Sequence, residues 1–285
     1  MIAAALGNCQ TGSGPGDARE PVYFQSHRGG LDEMPENTMR AFRHSFAISG
    51  AVPEVDVRTT QDGVLIALHN ATLAETTIAP ALIMNRDVRT LTYEQVLLAD
   101  AGLRYGPKFL DERVPRLTDL LELLREDRDR RLYLDLKDAD FVAVKALLDA
   151  YACEPQILFA NGSQEDCIAL KKLFPQATTM TWCSGTPEQI KAKFERYADT
   201  GFAGLDQIQL HLKVVGADPE PIYALDAGYL QFAYDRAEAA GADLQLRPFA
   251  YTPASLRGLL DIGARWFVTD TPQDFAEAIA DAWKL

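Results

Sequence analysis

Residues 132–159 read LYLDLKDADFVAVKALLDAYACEPQILF. Leu132 to Leu136 is a short strand, Phe141 to Leu148 has the apolar spacing of a helix, and Ile157-Leu158-Phe159 returns as a strand. Strand, helix and strand in that order imply parallel pairing, because parallel neighbours need a crossover. The alternation continues in both directions. Upstream lie a strand at Val22 to Ser26, a helix capped by Asn37-Thr38 with Met39, Phe42 and Phe46 on one face, and a second strand at Glu54 to Val57. After the turn Gln61-Asp62-Gly63, Val64 to Leu68 returns as a strand, and a leucine-rich helix spans Leu117 to Leu124. Downstream, strands fall at Thr178 to Trp182, Ile208 to Leu212, Leu244 to Ala250 and Trp266 to Thr269. Helices are expected around 164–173 and 187–198, and a last one presents Phe275, Ile279 and Trp283 on one side. About eight strands over residues 21–285 suit a (β/α)8 TIM barrel, which needs ~250 residues. An open doubly wound sheet would call for a Gly-rich phosphate loop, and the sequence has none. The expectation is therefore an α/β protein of one domain over 21–285. Asn70 to Arg116 is too long for a plain loop and is expected to fold as an excursion after the second strand, over one end of the barrel.

Acidic residues number 41 against 28 basic ones, for a net charge of −13. That balance excludes nucleic acid as a partner and a basic membrane-surface helix. No apolar run approaches the ~20 residues of an integral membrane segment. Cys9, Cys153, Cys167 and Cys183 form no CxxC pair, so neither a thiolate zinc site nor a disulfide framework is expected. Residues 1–20 are set apart as a disordered tail or the remnant of an export signal. Apolar Met1 to Leu6, then Gly7-Asn8-Cys9-Gln10 and a Gly/Ser/Pro stretch, are similar to the trailing end of a bacterial lipoprotein signal. The compartment stays open between exported and cytoplasmic, and the oligomeric state is not specified.

Chemistry concentrates at strand ends. His27-Arg28-Gly29-Gly30 follows the first strand, where an arginine fork can hold phosphate oxygens and glycines let backbone amides approach; a surface turn is the plain alternative. In Glu54-Val55-Asp56, alternation puts both carboxylates on one face. Facing inward they repel unless a cation joins them, and a hard ion such as Mg2+ or Ca2+ is the natural candidate; two charges on an exposed edge is the alternative. Asp135 and Lys137 repeat the pattern, as a third ligand with a phosphate contact or as an inward salt bridge. His69-Asn70 ends the strand Val64 to Leu68, so two of the four histidines end barrel-like strands, as two-step proton transfer requires. His44 and His211 default to structural roles.

Several ordered motifs then agree. His27-Arg28-Gly29, Pro35-Glu36-Asn37-Thr38 with Ala41-Phe42, Glu54-x-Asp56, Asp62-Gly63, His69-Asn70-x-Thr72-Leu73, Val114-Pro115, Asp135-x-Lys137 and Thr269-Asp270-x-Pro272 together resemble the glycerophosphodiester phosphodiesterase family over roughly residues 22–275. The resemblance implies a (β/α)8 barrel and metal-dependent hydrolysis of glycerophosphodiesters, a small-molecule phosphodiester substrate, to an alcohol and glycerol 3-phosphate. It implies His27 and His69 as acid and base, Glu54, Asp56 and Asp135 as ligands of Mg2+ or Ca2+, and Arg28 and Lys137 as phosphate contacts. By the same resemblance Glu36 and Asn37 are expected to brace the first loop and cap the helix, and Thr269-Asp270 to shape the floor or rim of the last strand, with no chemistry assigned to it. The sequence departs from the family pattern in four places. Asn70 stands where the second histidine is usually followed by Asp, and Asp135 where the third ligand is usually Glu. Ala74-Glu75-Thr76-Thr77 replaces an Arg-Thr-Thr-Asn-Gly-like stretch, and Arg247-Pro248-Phe249-Ala250-Tyr251-Thr252 lacks the seventh-strand Trp. Two alternatives stay open: a phospholipase D-like enzyme acting on lysolipids or sphingolipids, which a similar barrel supports, and a non-catalytic phosphoester-binding protein, which Asn70, Asp135 and the altered loop after His69 leave open.

Overall fold

The computed structural model describes residues 20–285, so the N-terminal reading, Cys9 included, lies outside the described residues. The chain runs β1 (Tyr23–Ser26), α1 (Met39–Phe46), β2 (Ala51–Thr59), β3 (Leu65–Ala67), α2 (Ala81–Met84), α3 (Tyr93–Val96), α4 (Leu117–Glu126) and β4 (Leu132–Leu136). It continues through α5 (Phe141–Tyr151), β5 (Ile157–Ala160), α6 (Gln164–Leu173), β6 (Thr178–Cys183), α7 (Pro187–Asp199) and β7 (Gln207–Leu212). Last come β8 (Val214–Ala217), β9 (Pro221–Tyr223), α8 (Ala227–Ala239), β10 (Asp243–Pro248), α9 (Pro253–Asp261), β11 (Trp266–Thr269) and α10 (Pro272–Ala282). Eight of the described strands are parallel and closed in the order β1, β2, β4, β5, β6, β7, β10, β11. β1 seals the ring, with Phe24 opposite Ala51 on one side and Phe267 on the other. This is the expected TIM barrel.

Strand alternation sorts the side chains. Outward, Val55, Val57, Leu132 and Leu134 pack with Leu117, Leu120, Leu121 and Leu124 of α4 and with Val144 and Leu148 of α5. Inward, the residues change character along the barrel axis. Val52, Tyr133, Leu158, Met180 and Trp266 form an apolar cluster. Next comes a buried amide network, in which Gln209 Nε2 donates to Gln245 Oε1 (2.7 Å) and Tyr133 Oη donates to Gln207 Oε1 (2.7 Å). Most buried polar groups are bonded in this way, and Gln207 Nε2 is an exception, buried with no partner among the described residues. Toward the carboxyl ends the inward positions become ionisable: Asp56, Asp135, His211 and Arg247. His211 pairs in register with Arg247, and Asp56 with Asp135. The interior is thus a packed plug that ends in a charged layer, on the face where such barrels carry their chemistry.

Three features differ from the sequence reading. β3 is antiparallel to β2, with Thr59 opposite Leu65. The turn between them is too short for a crossover, so the strand Val64 to Leu68 is a hairpin arm outside the barrel and His69 does not end a barrel strand. β8 and β9 form a hairpin after β7 that the sequence reading lacks, and so do helices α8 and α9. Asn37 does not cap α1. Thr38 does, its Oγ1 accepting from Ala41 N (3.2 Å) and donating to Pro35 O (2.7 Å). Thr38→Ala is expected to cost about 1 kcal/mol of stability in denaturant unfolding; an unchanged midpoint would mean that the Ala41 amide finds another acceptor.

The stretch from Asn70 to Arg116 folds as expected into a small excursion with its own core, including Leu73, Ile83, Val88, Leu91 and Val96. Asp100 ties it together, accepting from the backbone amides of Gly102 (2.8 Å), Leu103 (2.7 Å) and Asp111 (2.8 Å). Cys153, Cys167 and Cys183 are free and buried. No helix among the described residues is long and apolar enough to cross a membrane.

Candidate active site

The chain leaves β1 at Ser26 and turns at once, with Arg28 (φ 53°), Gly29 (φ 82°) and Gly30 (φ 98°) all left-handed. A Cβ at Gly29 would lie 2.8 Å from that of Ala41, and one at Gly30 would lie 2.7 Å from the Pro272 ring. The glycines therefore seat this loop against α1 and α10. They were expected to present amides to a phosphate, but the neighbouring amides are already engaged. Gly30 N donates to His27 O (2.9 Å) and Arg28 N to Glu54 Oε2 (2.7 Å). Arg28 is not glycine, and its conformation costs roughly 1–2 kcal/mol. The contacts to Glu54 and Glu36 hold it there.

The turn aims His27 into the barrel mouth. Its Nδ1 lies 2.7 Å from Asp270 Oδ1, just past β11, and 3.2 Å from Arg247 Nη2, near the end of β10. Arg247 Nη2 also donates to both oxygens of Asp270 (3.2 and 3.3 Å). Burial lowers the pKa of His27, and Arg247 and Arg28 add to that, against the pull of Asp270. The Asp270 carboxyl is buried too, yet its bond to His27 and the charge of Arg247 hold it below the usual range.

Beside this group, Glu54 and Asp56 of β2 meet Asp135 of β4. Each offers an oxygen within 4.8 Å of the others. Glu54 is 2% exposed and Asp56 1%. Asn37 braces Asp56, donating from Nδ2 to Oδ2 (2.8 Å) and accepting the Asp56 amide on Oδ1 (3.1 Å). Lys137 Nζ reaches Asp56 Oδ1 (3.0 Å) and Asp135 Oδ2 (2.5 Å). Arg28 Nη1 donates to both oxygens of Glu36 (3.2 Å each), and its Nε lies 3.5 Å from Asp56 Oδ2. The two cations read as phosphate contacts are thus turned toward carboxylates.

Four carboxyl groups share these two cations, and the electrostatics follow. Burial, then Asp56 and Asp135, push Glu54 well above the usual carboxylate range. Burial raises Asp135 more than Lys137 lowers it. Asp56 is buried as deeply, but Lys137, Asn37 and Arg28 together hold it low. A site that lacks positive charge and offers only hard oxygen donors suits a divalent cation of the Mg2+ or Ca2+ type.

His69 follows β3, and its Nδ1 lies 3.0 Å from Asn70 Oδ1. Arg58 Nε donates to its carbonyl (2.9 Å), and Arg58 Nη1 in turn to Asp138 Oδ2 (2.9 Å), which fixes the hairpin end on the barrel rim. Burial raises the Glu36 carboxyl nearby, against the pull of Arg28. A cavity of about 320 Å³ opens there, lined by Arg28, Glu36, Asn70, Glu75, Thr76, Arg104 and Tyr105. Arg104 shapes its wall by donating to the carbonyls of Thr77 (2.7 Å) and Ala74 (2.6 Å).

The other two histidines have protein partners. His44 Nε2 lies 2.8 Å from Glu33 Oε2, and Glu33 also accepts from Gln273 N (2.9 Å) at the start of α10. His211 Nε2 lies 2.9 Å from Gln209 Oε1, and its pKa is pushed down to about 4 by burial, then by Arg247 and Lys213. The structure brings together all seven residues singled out in the sequence and sets beside them Asp270, named there without a chemical role, and Arg247, named there only in the segment that lacks the Trp. The available signal was an ionisable residue at the carboxyl end of each of the last two barrel strands, one of them inside Thr269-Asp270-x-Pro272.

Comparison with known proteins adds to this geometry. The profile of the glycerophosphoryl diester phosphodiesterase family matches residues 27–273. Among curated proteins, the chain is 29% identical over 157 residues to a glycerophosphodiester phosphodiesterase of Caldanaerobacter subterraneus, covering 53% of this chain and 62% of that protein. It is 33% identical over 142 residues to glycerophosphodiester phosphodiesterase 1 of Mus musculus, covering 49% and 41%. The chain thus spans about half the length of the curated relatives it matches. Among solved structures, a glycerophosphodiester phosphodiesterase from Agrobacterium tumefaciens superposes with a TM-score of 0.69 at 22% identity, covering 90% of this chain and 99% of that one. An Oleispira antarctica phosphodiesterase in complex with its product sn-glycerol-3-phosphate superposes with a TM-score of 0.68 at 20% identity, covering 90% and 96%. These likenesses bear on the fold. The profile match spans nearly all of the barrel, from His27 of the first strand end to the start of the last helix, and on that ground the chain belongs to the glycerophosphoryl diester phosphodiesterase family.

Proposed function

We propose that residues 21–285 form one catalytic domain that hydrolyses glycerophosphodiesters to an alcohol and glycerol 3-phosphate, with a divalent metal and two histidines. The observation that carries this reading is the meeting of a carboxylate-backed imidazole, His27 on Asp270, with three clustered carboxylates at the carboxyl mouth of the barrel. Glu54, Asp56 and Asp135 would hold a divalent cation, which would supply electrostatic stabilisation to the phosphoryl oxygens. Arg28 and Lys137 stand beside those carboxylates, placed to turn toward a bound phosphate. Asp270 accepts from Nδ1–H of His27, which leaves the Nε2 lone pair facing the mouth. His27 is therefore the base that takes a proton from the attacking oxygen; water gives glycerol 3-phosphate directly, whereas the glycerol 2-hydroxyl gives a cyclic phosphate that a second attack, by water, opens to glycerol 3-phosphate. His69 is held by the neutral Asn70 amide and gives a proton to the leaving alkoxide. The cavity beside His69 is walled mostly by polar side chains, which suits a polar alcohol, since an acyl chain there would desolvate Glu75 without pairing it.

The test is glycerol 3-phosphate release from several glycerophosphodiesters, with EDTA and with Mg2+ or Ca2+ restored. Metal-restored release is expected. No release from a folded, metal-binding protein would overturn the reading. The profile of kcat/KM against pH adds a sign. A base acts unprotonated, and the pKa of His27 lies below the ordinary histidine value of about 6.5. The acid limb is therefore expected below that pH, and a limb above it would remove His27 as the base.

A further inference from the structure

Arg247 stands in an unusual position. Its Nη2 touches both oxygens of Asp270 and also lies 3.2 Å from Nδ1 of His27, whose own bond to Asp270 is 2.7 Å. A carboxylate oxygen and a bare ring nitrogen would repel at that distance, so Nδ1 carries a proton and points it at Asp270. Arg247 then has nothing to donate to on the ring. It sets a fixed positive charge beside an imidazole that a carboxylate alone would encourage to become cationic.

We propose that Arg247 is a positioning residue for His27: it fixes the Asp270 carboxylate on Nδ1–H and keeps the resting imidazole neutral, with the Nε2 lone pair turned to the site. The geometry gives it both tasks. Its Nη2 bridges the two Asp270 oxygens and so sets the plane of the carboxylate. Its side chain, 17% exposed and with its guanidinium over the Phe249 ring at 5.1 Å, is poorly screened by water. The other charged and titratable groups that act on His27 are Arg28 and Asp32 on its own loop and His211 on β7. Arg28 is engaged by Glu36 and Asp56, and burial keeps His211 uncharged. Arg247 is thus the direct counterweight to Asp270. A base poised in this way is free to accept a proton at neutral pH and does not retain it.

This inference rests on the reading of His27 as the base, but its test needs no substrate. The ring signals of the four histidines are followed by NMR across pH, with His27 assigned by its loss in His27→Gln. In the wild-type protein at neutral pH, the ring 15N shifts are expected to show a neutral His27 with its proton on Nδ1. In Arg247→Gln, Asp270 acts unopposed, and the His27 midpoint is expected to rise by about 1 pH unit. Arg247→Lys keeps the charge and is expected to bring the midpoint back toward the wild-type value. An equal midpoint in wild type and Arg247→Gln would overturn the proposal. If Arg247→Gln does not fold, the wild-type spectrum decides alone: a cationic His27 at neutral pH, or a proton on Nε2, overturns it. An inactive wild type with a neutral Nδ1–H ring would instead count against the catalytic reading and leave the role of Arg247 intact.

Discussion

His27→Ala is expected to lower kcat for glycerol 3-phosphate release by about 10²-fold or more, the usual contribution of a positioned acid–base group. The substitution should leave the fold in place. Asp270 keeps its ion pair with Arg247 when the imidazole is gone, so no buried charge is orphaned. The loop stays anchored by Arg28 N on Glu54 and by its glycines against Ala41 and Pro272. His69→Ala is expected to fall as far, since the leaving alkoxide then departs without a proton. The measurement is steady-state turnover with metal binding checked on the same preparation. Near-wild-type kcat in either variant, with the metal still bound, would remove the two-histidine scheme.

Glu54→Gln is the second large effect, and it separates metal binding from folding. Burial, then Asp56 and Asp135, drive the Glu54 carboxyl away from its charged form. An uncharged amide of the same shape relieves that repulsion, so the metal-free variant is expected to be no less stable than the wild type in denaturant unfolding. Metal affinity moves the other way. Loss of a directly placed carboxylate should exceed the 10–100-fold that losing an outer-shell partner costs. Titration calorimetry with Mg2+ and Ca2+ reads this directly. Unchanged affinity would remove Glu54 from the ligand set. A marked loss of metal-free stability would mean that the bond from Arg28 N outweighs the repulsion.

Much of the architecture was legible along the chain. The 132–159 unit shows parallel strands joined by a crossover helix, and its repetition leaves few closed arrangements. Period-two alternation puts Glu54 with Asp56, and Asp135 with Lys137, on one face of their strands; closure of the barrel turns that face inward. Local pattern misled where two outcomes share one signal. Val64 to Leu68 is as apolar as a barrel strand, and only the short Asp62-Gly63 turn marks it as a hairpin arm. Asn37 and Thr38 are both good caps. The choice went to Thr38 because Asn37 is drawn to Asp56 of the adjacent strand.

What the sequence by itself determined is most of the alternating strand and helix order, the family, and a set of seven residues that the structure brings together at the mouth. What only the tertiary structure decided is how those residues are paired. His27 and Asp270 are 243 positions apart and touch because β1 closes the ring against β11. Arg247 joins them because β10 lies next to β11. Strand register and ring closure are set by the packing of the whole barrel. No local propensity encodes which strand end will stand beside which, so the carboxylate bonded to the first histidine became visible only when the sheet closed.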